Sequence, residues 1–159
     1  MSGFEVGTNF AEGTNIICNA VPDAKVYSLD LDYESMMKNP KEFPIGINGE
    51  DRVGSVGRFS FTQLRGDSMT FDYMKYPCDA YYIDGEHTEL AVTIEVKAIL
   101  KTHPKLIILH DTDMPEVMVG LLAGVEQSEE SEHYELFRIT ETRISYLLRR
   151  ETQQIETTS

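Results

Sequence analysis

The sequence has 159 residues, 41% of them hydrophobic, which suits one globular domain with a proper core and leaves no room for two. Acids outnumber bases 27 to 14, and the formal net charge of −13 repels phosphate backbones, so a nucleic-acid partner is not expected. No apolar run approaches the roughly 20 residues of a membrane helix, and the start Met1-Ser2-Gly3-Phe4-Glu5 has neither the basic residues nor the apolar stretch of a signal peptide.

Short β-rich runs alternate with helical stretches, the pattern of a mostly parallel sheet with crossover helices. Phe4-Glu5-Val6 reads as a first strand ending in the turn Gly7-Thr8-Asn9. A helix follows from about Phe10 to Ala20, with Ile16, Ile17 and Ala20 on one face, and Pro22 stops it. Cys18 falls in this helix, and with Cys78 it makes the only cysteine pair. Two cysteines point to a reducing compartment, so the expectation is a cytoplasmic protein without membrane contact. The second strand is Lys25 to Asp30, with an acid at its end. Residues 33–58, with Pro40, Pro44 and four glycines, predict a long loop with one helical turn at Tyr33 to Lys38. Phe59 to Leu64 is a third strand and ends in Arg65-Gly66-Asp67-Ser68.

The fourth strand, Ala80 to Ile83, runs straight into Asp84-Gly85-Glu86-His87. A helix over about Glu89 to Lys101 has Ala91, Ile94, Ala98 and Ile99 at helical spacing. Lys105 to Leu109 is a near-continuous apolar run, as buried parallel strands are, and it ends in His110-Asp111. Val117, Leu121 and Val125 mark a helix opening near Pro115. Tyr134 to Ile139 and Ile144 to Leu148 pair as a hairpin, and the polar stretch 151–159 reads as a disordered tail after a single domain over 1–150. Seven strands result, five parallel and the last two antiparallel. Ligands of open α/β sheets sit beyond the carboxyl ends of the strands, and every polar cluster named here lies at such an end.

Glu5-Val6-Gly7-Thr8 followed by Glu12-Gly13-Thr14 has the strand, tight turn and helix opening of a nucleotide-binding loop. A dinucleotide fingerprint needs glycines at G-x-G-x-x-G spacing, whereas Asn9 and Phe10 fill the middle here. Glu12 also puts a carboxylate where a phosphate would sit. Such a loop repels phosphate and tolerates a positively charged sulfonium ligand. Asp30, some two dozen residues past the first strand, stands where an acid takes ribose hydroxyls; Asp32 next door is the alternative.

With these blocks, together with Gly66-Asp67-Ser68, Thr70-Phe71-Asp72, Ile83-Asp84-Gly85-Glu86-His87 and Ile107-Ile108-Leu109-His110-Asp111, the chain resembles the class I S-adenosylmethionine-dependent methyltransferases from Phe4 to Leu148. The last blocks resemble the branch acting on small-molecule and sugar hydroxyls. The resemblance implies a Rossmann-like seven-stranded sheet with S-adenosylmethionine held by Glu5, Gly7, Thr8, Asp30, Asp67, Ser68 and Asp84. It also implies, as in the metal-dependent members, a divalent cation on Asp84 and Asp111, expected here as Mg²⁺. Two carboxylates plus waters suit Mg²⁺, and such a cation can lower the pKa of an acceptor hydroxyl. His87, three residues past Asp84, is the candidate general base, because an imidazole titrates near neutral pH. His103 and His133 read as surface residues, and His110 as a cap or a pocket wall.

Family members place one or two helices before the first strand, where they cover one face of the sheet and help form the acceptor pocket. Here the first strand begins within the first few residues, so apolar positions of strands one, four and five are expected to be wet. A homodimer is the expected cover. The same feature supports an alternative function: a catalytically silent module that binds S-adenosylmethionine without an acceptor site of its own.

Overall fold

The computed structural model describes residues 1–31 and 60–150, so the expectations for Asp32, the loop at 33–58, Phe59 and the tail at 151–159 lie outside the described residues. Among the described residues, ten strands and α-helices follow from the apolar runs and helical spacings: β1 Ser2–Val6, α1 Glu12–Ala20, β2 Lys25–Asp30, β3 Thr62–Arg65, β4 Ala80–Ile83, α2 Glu89–Leu100, β5 Leu106–Leu109, α3 Pro115–Glu126, β6 Tyr134–Arg138 and β7 Ser145–Arg149. The strands form a seven-stranded sheet in the order β3-β2-β1-β4-β5-β7-β6. β3 to β5 run parallel, and β7 pairs antiparallel with both β5 and β6.

Register assigns the faces. Phe4 pairs with Tyr27 and Tyr81, and Tyr81 with Ile107, so these four share one side. That side is the core, completed by Val92, Val96 and Ile99 of α2 and by Val117 and Leu121 of α3. An aromatic cluster of Phe4, Phe71, Tyr73 and Tyr81 fills it towards β1, with ring centroids 5.2–6.3 Å apart. α2 and α3 lie close because α3 offers glycine at two successive turns. A Cβ on Gly120 would stand 2.7 Å from the Glu89 carbonyl, and one on Gly124 would stand 2.8 Å from Val96 Cβ.

The opposite side carries Glu5, Ser28, Tyr82, Ile108 and Tyr146, and α1 packs over its β1–β2 end. Here two expectations are corrected. The helix starts at Glu12 and not Phe10, since Asn9 (φ 44°) and Ala11 (φ 73°) take left-handed backbone conformations that break the helical run. Its buried residues are Thr14 and Cys18, whereas Ile16 is 71% exposed, because the sheet beneath presents a carboxylate and hydroxyls and selects the polar face of α1. In α2 the buried stripe is likewise rotated from the expected one, to Ala91, Val92, Glu95, Val96, Ile99 and Leu100. β3 is Thr62–Arg65, later than the run that begins at Phe59.

Candidate functional site

Beyond the carboxyl ends of β1, β2, β3, β4 and β5, the backbone ladder continues for one more bond before the chains diverge. Asp84 N donates to the Val6 carbonyl (2.9 Å), His110 N to that of Ile83 (3.0 Å), Gly7 N to that of Leu29 (2.8 Å) and Gly66 N to that of Asp30 (3.0 Å). These bonds bring the post-strand residues to one level along one edge. Gly7 sits at the closest crossing. Its φ is 97°, and a Cβ there would stand 2.3 Å from the Asp84 carbonyl oxygen, so only glycine lets the β1 turn pass the β4 turn.

Under this turn lies a polar network. Thr14 Oγ1 and Ser28 Oγ both donate to Glu5 Oε2, the second at 2.5 Å. Ser28 Oγ also meets Thr8 Oγ1 at 2.7 Å, and Gln63 Nε2 donates to Thr8 Oγ1 at 2.8 Å. Burial pushes the Glu5 carboxyl up to about 7 against the pull of its two hydroxyl donors, with Asp84 and Asp30 adding to the rise. Glu5 and Thr8 are therefore buried struts of the loop, and Gly7 and Asn9 form its rim. Asp30 fastens that rim: its Oδ2 accepts from Asn9 N at 2.7 Å and its Oδ1 from Leu31 N at 2.8 Å.

The turn after β3 is held from below. Asp67 Oδ1 accepts from Met69 N (2.8 Å), which closes the turn, while Ser68 Oγ donates to Glu95 Oε1 (2.5 Å). Glu95 is fully buried on α2, and its Oε2 meets no hydrogen-bond donor among the described residues. Burial drives this carboxyl up to about 7, Ser68 opposes the rise, and Glu86 and Asp67 increase it. A lone acid inside a helix reads as a solvated position, so nothing in the sequence singles out Glu95.

After β4 and β5 the expected acids converge, with more company than the motifs suggest. His87 Nε2 is 3.0 Å from Asp111 Oδ2 and 3.8 Å from Asp84 Oδ1, and His110 Nδ1 is 3.2 Å and 3.4 Å from the same two oxygens. Arg143, in the turn between β6 and β7, places Nη2 3.0 Å from Asp111 Oδ1 and is braced by Asp113 at 3.1 Å. Tyr82 donates its hydroxyl to Asp84 Oδ2 (3.2 Å). Burial raises the Asp84 carboxyl, and Asp111 adds to that rise against His110, Tyr82 and His87. Asp111 is also raised by burial, but His110, Arg143 and His87 outweigh it and hold the group below the ordinary carboxylate range. Two neighbouring carboxyls are thus pushed apart in acidity. Asp111 takes φ 54°, a left-handed conformation that Asp tolerates and that turns its side chain towards Asp84. Asp84, His110 and Asp111 each offer a ligand atom within 4.8 Å of the others, a donor set able to hold a divalent cation. His103 and His133 lie elsewhere, against Glu130 and Glu132.

No family model matches the chain, and no curated protein matches its sequence. Solved structures do match. The MycE methyltransferase from the mycinamycin biosynthetic pathway, in complex with Mg, SAH and mycinamycin VI, superposes with a TM-score of 0.63 over 97% of this chain and 46% of that one, at 14% identity. The chain has the class I methyltransferase fold. TrmN from Thermus thermophilus shares this fold at a TM-score of 0.61, 13% identity, and coverage of 94% of this chain and 44% of that one. CalS11, a TDP-rhamnose 3′-O-methyltransferase of calicheamicin biosynthesis, matches at 0.59 and 14% identity, over 93% and 70% of the two chains. The chain therefore spans about half the length of MycE and TrmN. Gly7, Asp30, Asp67, Asp84 and Asp111 stand beyond the carboxyl ends of the strands, the edge at which open α/β sheets in general hold their ligands.

Proposed function

We propose that this domain binds S-adenosylmethionine along the ends of β1–β4 and transfers its methyl group to a hydroxyl of a small molecule or sugar. The observation that carries the reading is the meeting of Asp84, His87 and Asp111 beside the Gly7 turn. In this reading Asp30 takes the ribose hydroxyls, Asp67 and Ser68 lie against the adenine, and Gly7 and Thr8 shape the loop beneath the methionine part. Asp84 and Asp111 hold a divalent cation, which when bound draws an acceptor oxygen close and lowers the pKa of its hydroxyl. The acceptor proton passes to His87. With Nε2 turned towards Asp111, the imidazole presents Nδ1 as the accepting atom. The acceptor oxygen then attacks the methyl carbon in line, the S–CH₃ bond breaks, and sulfur keeps the electron pair. Holding the two reactants in that line supplies much of the acceleration. Free, buried Cys18 and Cys78 agree with a reducing, cytoplasmic setting, and no described helix is long and apolar enough to cross a membrane.

A second reading, a silent S-adenosylmethionine-binding module, draws support from Arg143, which already neutralises Asp111. Calorimetry with S-adenosylhomocysteine tests the part common to both readings. Asp30→Ala should lose about 1.5–3 kcal/mol of binding, the worth of a charge-assisted hydrogen bond, and unchanged affinity in the folded variant would refute the placement. Turnover on a panel of hydroxylated acceptors separates the two readings. In an active enzyme His87→Ala should slow the rate by about 10²-fold or more.

A further inference from the structure

We propose that His110 is the third protein ligand of the Asp84–Asp111 site and that the site selects a later first-row transition-metal dication, such as Co²⁺, over Mg²⁺. The inference rests on the cation half of the reading above and extends it to the identity of the ion. Its starting point is geometric. Nδ1 of His110 faces Asp84 Oδ1 at 3.4 Å and Asp111 Oδ2 at 3.2 Å, so one nitrogen and two oxygens surround a common point. His110 Nδ1 is buried and makes no hydrogen bond among the described residues.

The surroundings are those of an oriented ligand set. Tyr82 fixes Asp84 through Oδ2 and leaves Oδ1 to the site. Arg143 engages Asp111 through Oδ1, and Oδ2 faces the site with His87 Nε2 3.0 Å away. The edge of the Tyr82 ring also packs against the His110 imidazole, with centroids 6.4 Å apart. Such outer contacts hold metal ligands in place. Asp111 is 8% exposed, so its charge needs a buried counterpart. Asp84 and Asp111 share the one guanidinium with Asp113, so acids are in excess around the site and a dication offsets them.

The donor set then decides the ion. Mg²⁺ favours oxygen ligands in a near-ideal octahedron and keeps most of its water. An imidazole nitrogen in a set of three adds little for Mg²⁺ but strengthens binding of the later divalent metals along the Irving–Williams order. MycE, whose fold is similar, was crystallised with Mg; the present chain sets a nitrogen beside its two strand-end carboxylates.

Calorimetric titration of the metal-stripped full chain with CoCl₂ and with MgCl₂, without cofactor, tests this. Co²⁺ should bind about 100-fold more tightly than Mg²⁺, and should give visible ligand-field bands. His110→Asp keeps a carboxylate donor in place of the imidazole and should bring the two affinities within about tenfold of each other. A ratio unchanged in His110→Asp overturns the imidazole preference. Failure of both ions to bind overturns the site, and S-adenosylhomocysteine binding by the same sample then reports separately on the cofactor half of the reading. Pulsed electron paramagnetic resonance of Mn²⁺-loaded wild type should show coupling to a directly bound nitrogen. Absence of that coupling refutes the proposal even where the variant does not fold.

Discussion

Glu95 brings an ionisable carboxyl into a helix face that is otherwise Ala, Val, Ile and Leu, and meets it with a single hydroxyl. Its acidity is shifted upward from 4.5 to about 7, so the folded state holds its proton more tightly than the unfolded chain does. The resulting stability is fully present below the unfolded value and is lost as pH rises through about 7. At 1.36 kcal/mol per unit, the loss between pH 5.5 and 8 is about 2 kcal/mol. Glu95→Gln cannot ionise, so its urea midpoint should fall less than that of wild type over this interval. Equal falls in the two proteins would mean that Glu95 does not titrate there. Glu5 has the same sign and interval but is held by two hydroxyls, so its replacement disturbs the loop as well. At this scale the sequence was readable where a polar residue ends an apolar run: Asp30, Asp84 and Asp111 stand out for that reason. Glu95 and Arg143 were not readable as parts of a site, and His110 was readable only as a cap or a pocket wall. Their roles come from contacts with Ser68, Asp84 and Asp111, and those between Glu95 and Ser68 or Arg143 and Asp111 join residues on different elements.

Among the elements, the α2–α3 pair depends most on its sequence detail. Glycines at Gly120 and Gly124 let α3 approach until its backbone meets Val92 and Val96 of α2. Gly120→Ala inserts a methyl 2.7 Å from the Glu89 carbonyl oxygen, which cannot move without unwinding the start of α2. Overpacking of this kind costs about 1–3 kcal/mol. The measurable outcome is a urea midpoint lowered by that amount with an unchanged slope; an unaltered midpoint would show that the helices can part freely. Element order and type were legible because apolar runs and helical spacings alternate along the chain. The start of α1 was not, since nothing local marks Ala11 as left-handed. The buried face of α1 was misread for a related reason: hydrophobicity nominated Ile16, whereas the polar sheet surface beneath chose Thr14.

For the whole molecule, the two sides of the sheet are covered unequally. α2 and α3 close one side, while on the other, among the described residues, α1 reaches only the β1–β2 end. Tyr82, Leu106, Ile108 and Tyr146 are half-buried there, and Leu148 is 45% exposed. We propose that a second copy covers this side, with twofold symmetry as the commonest arrangement. Light scattering on a size-exclusion column should give twice the chain mass, and a concentration-independent single-chain mass would defeat the proposal. Leu148→Asp should shift the equilibrium towards monomer, because it places a charge in the proposed contact.

Arg143 also ties the terminal hairpin to the acids of the central strands. Asp84 and Asp111 end strands of the parallel part of the sheet, whereas the guanidinium beside Asp111 comes from the turn of the β6–β7 hairpin. Opening of that hairpin alone would uncover two repelling carboxylates, so the terminal strands act as a latch on the charge state of the central ones. Amide exchange at Ser145–Arg149 should quicken when a dication occupies the acidic pair, because the ion removes the repulsion that otherwise opposes an open hairpin.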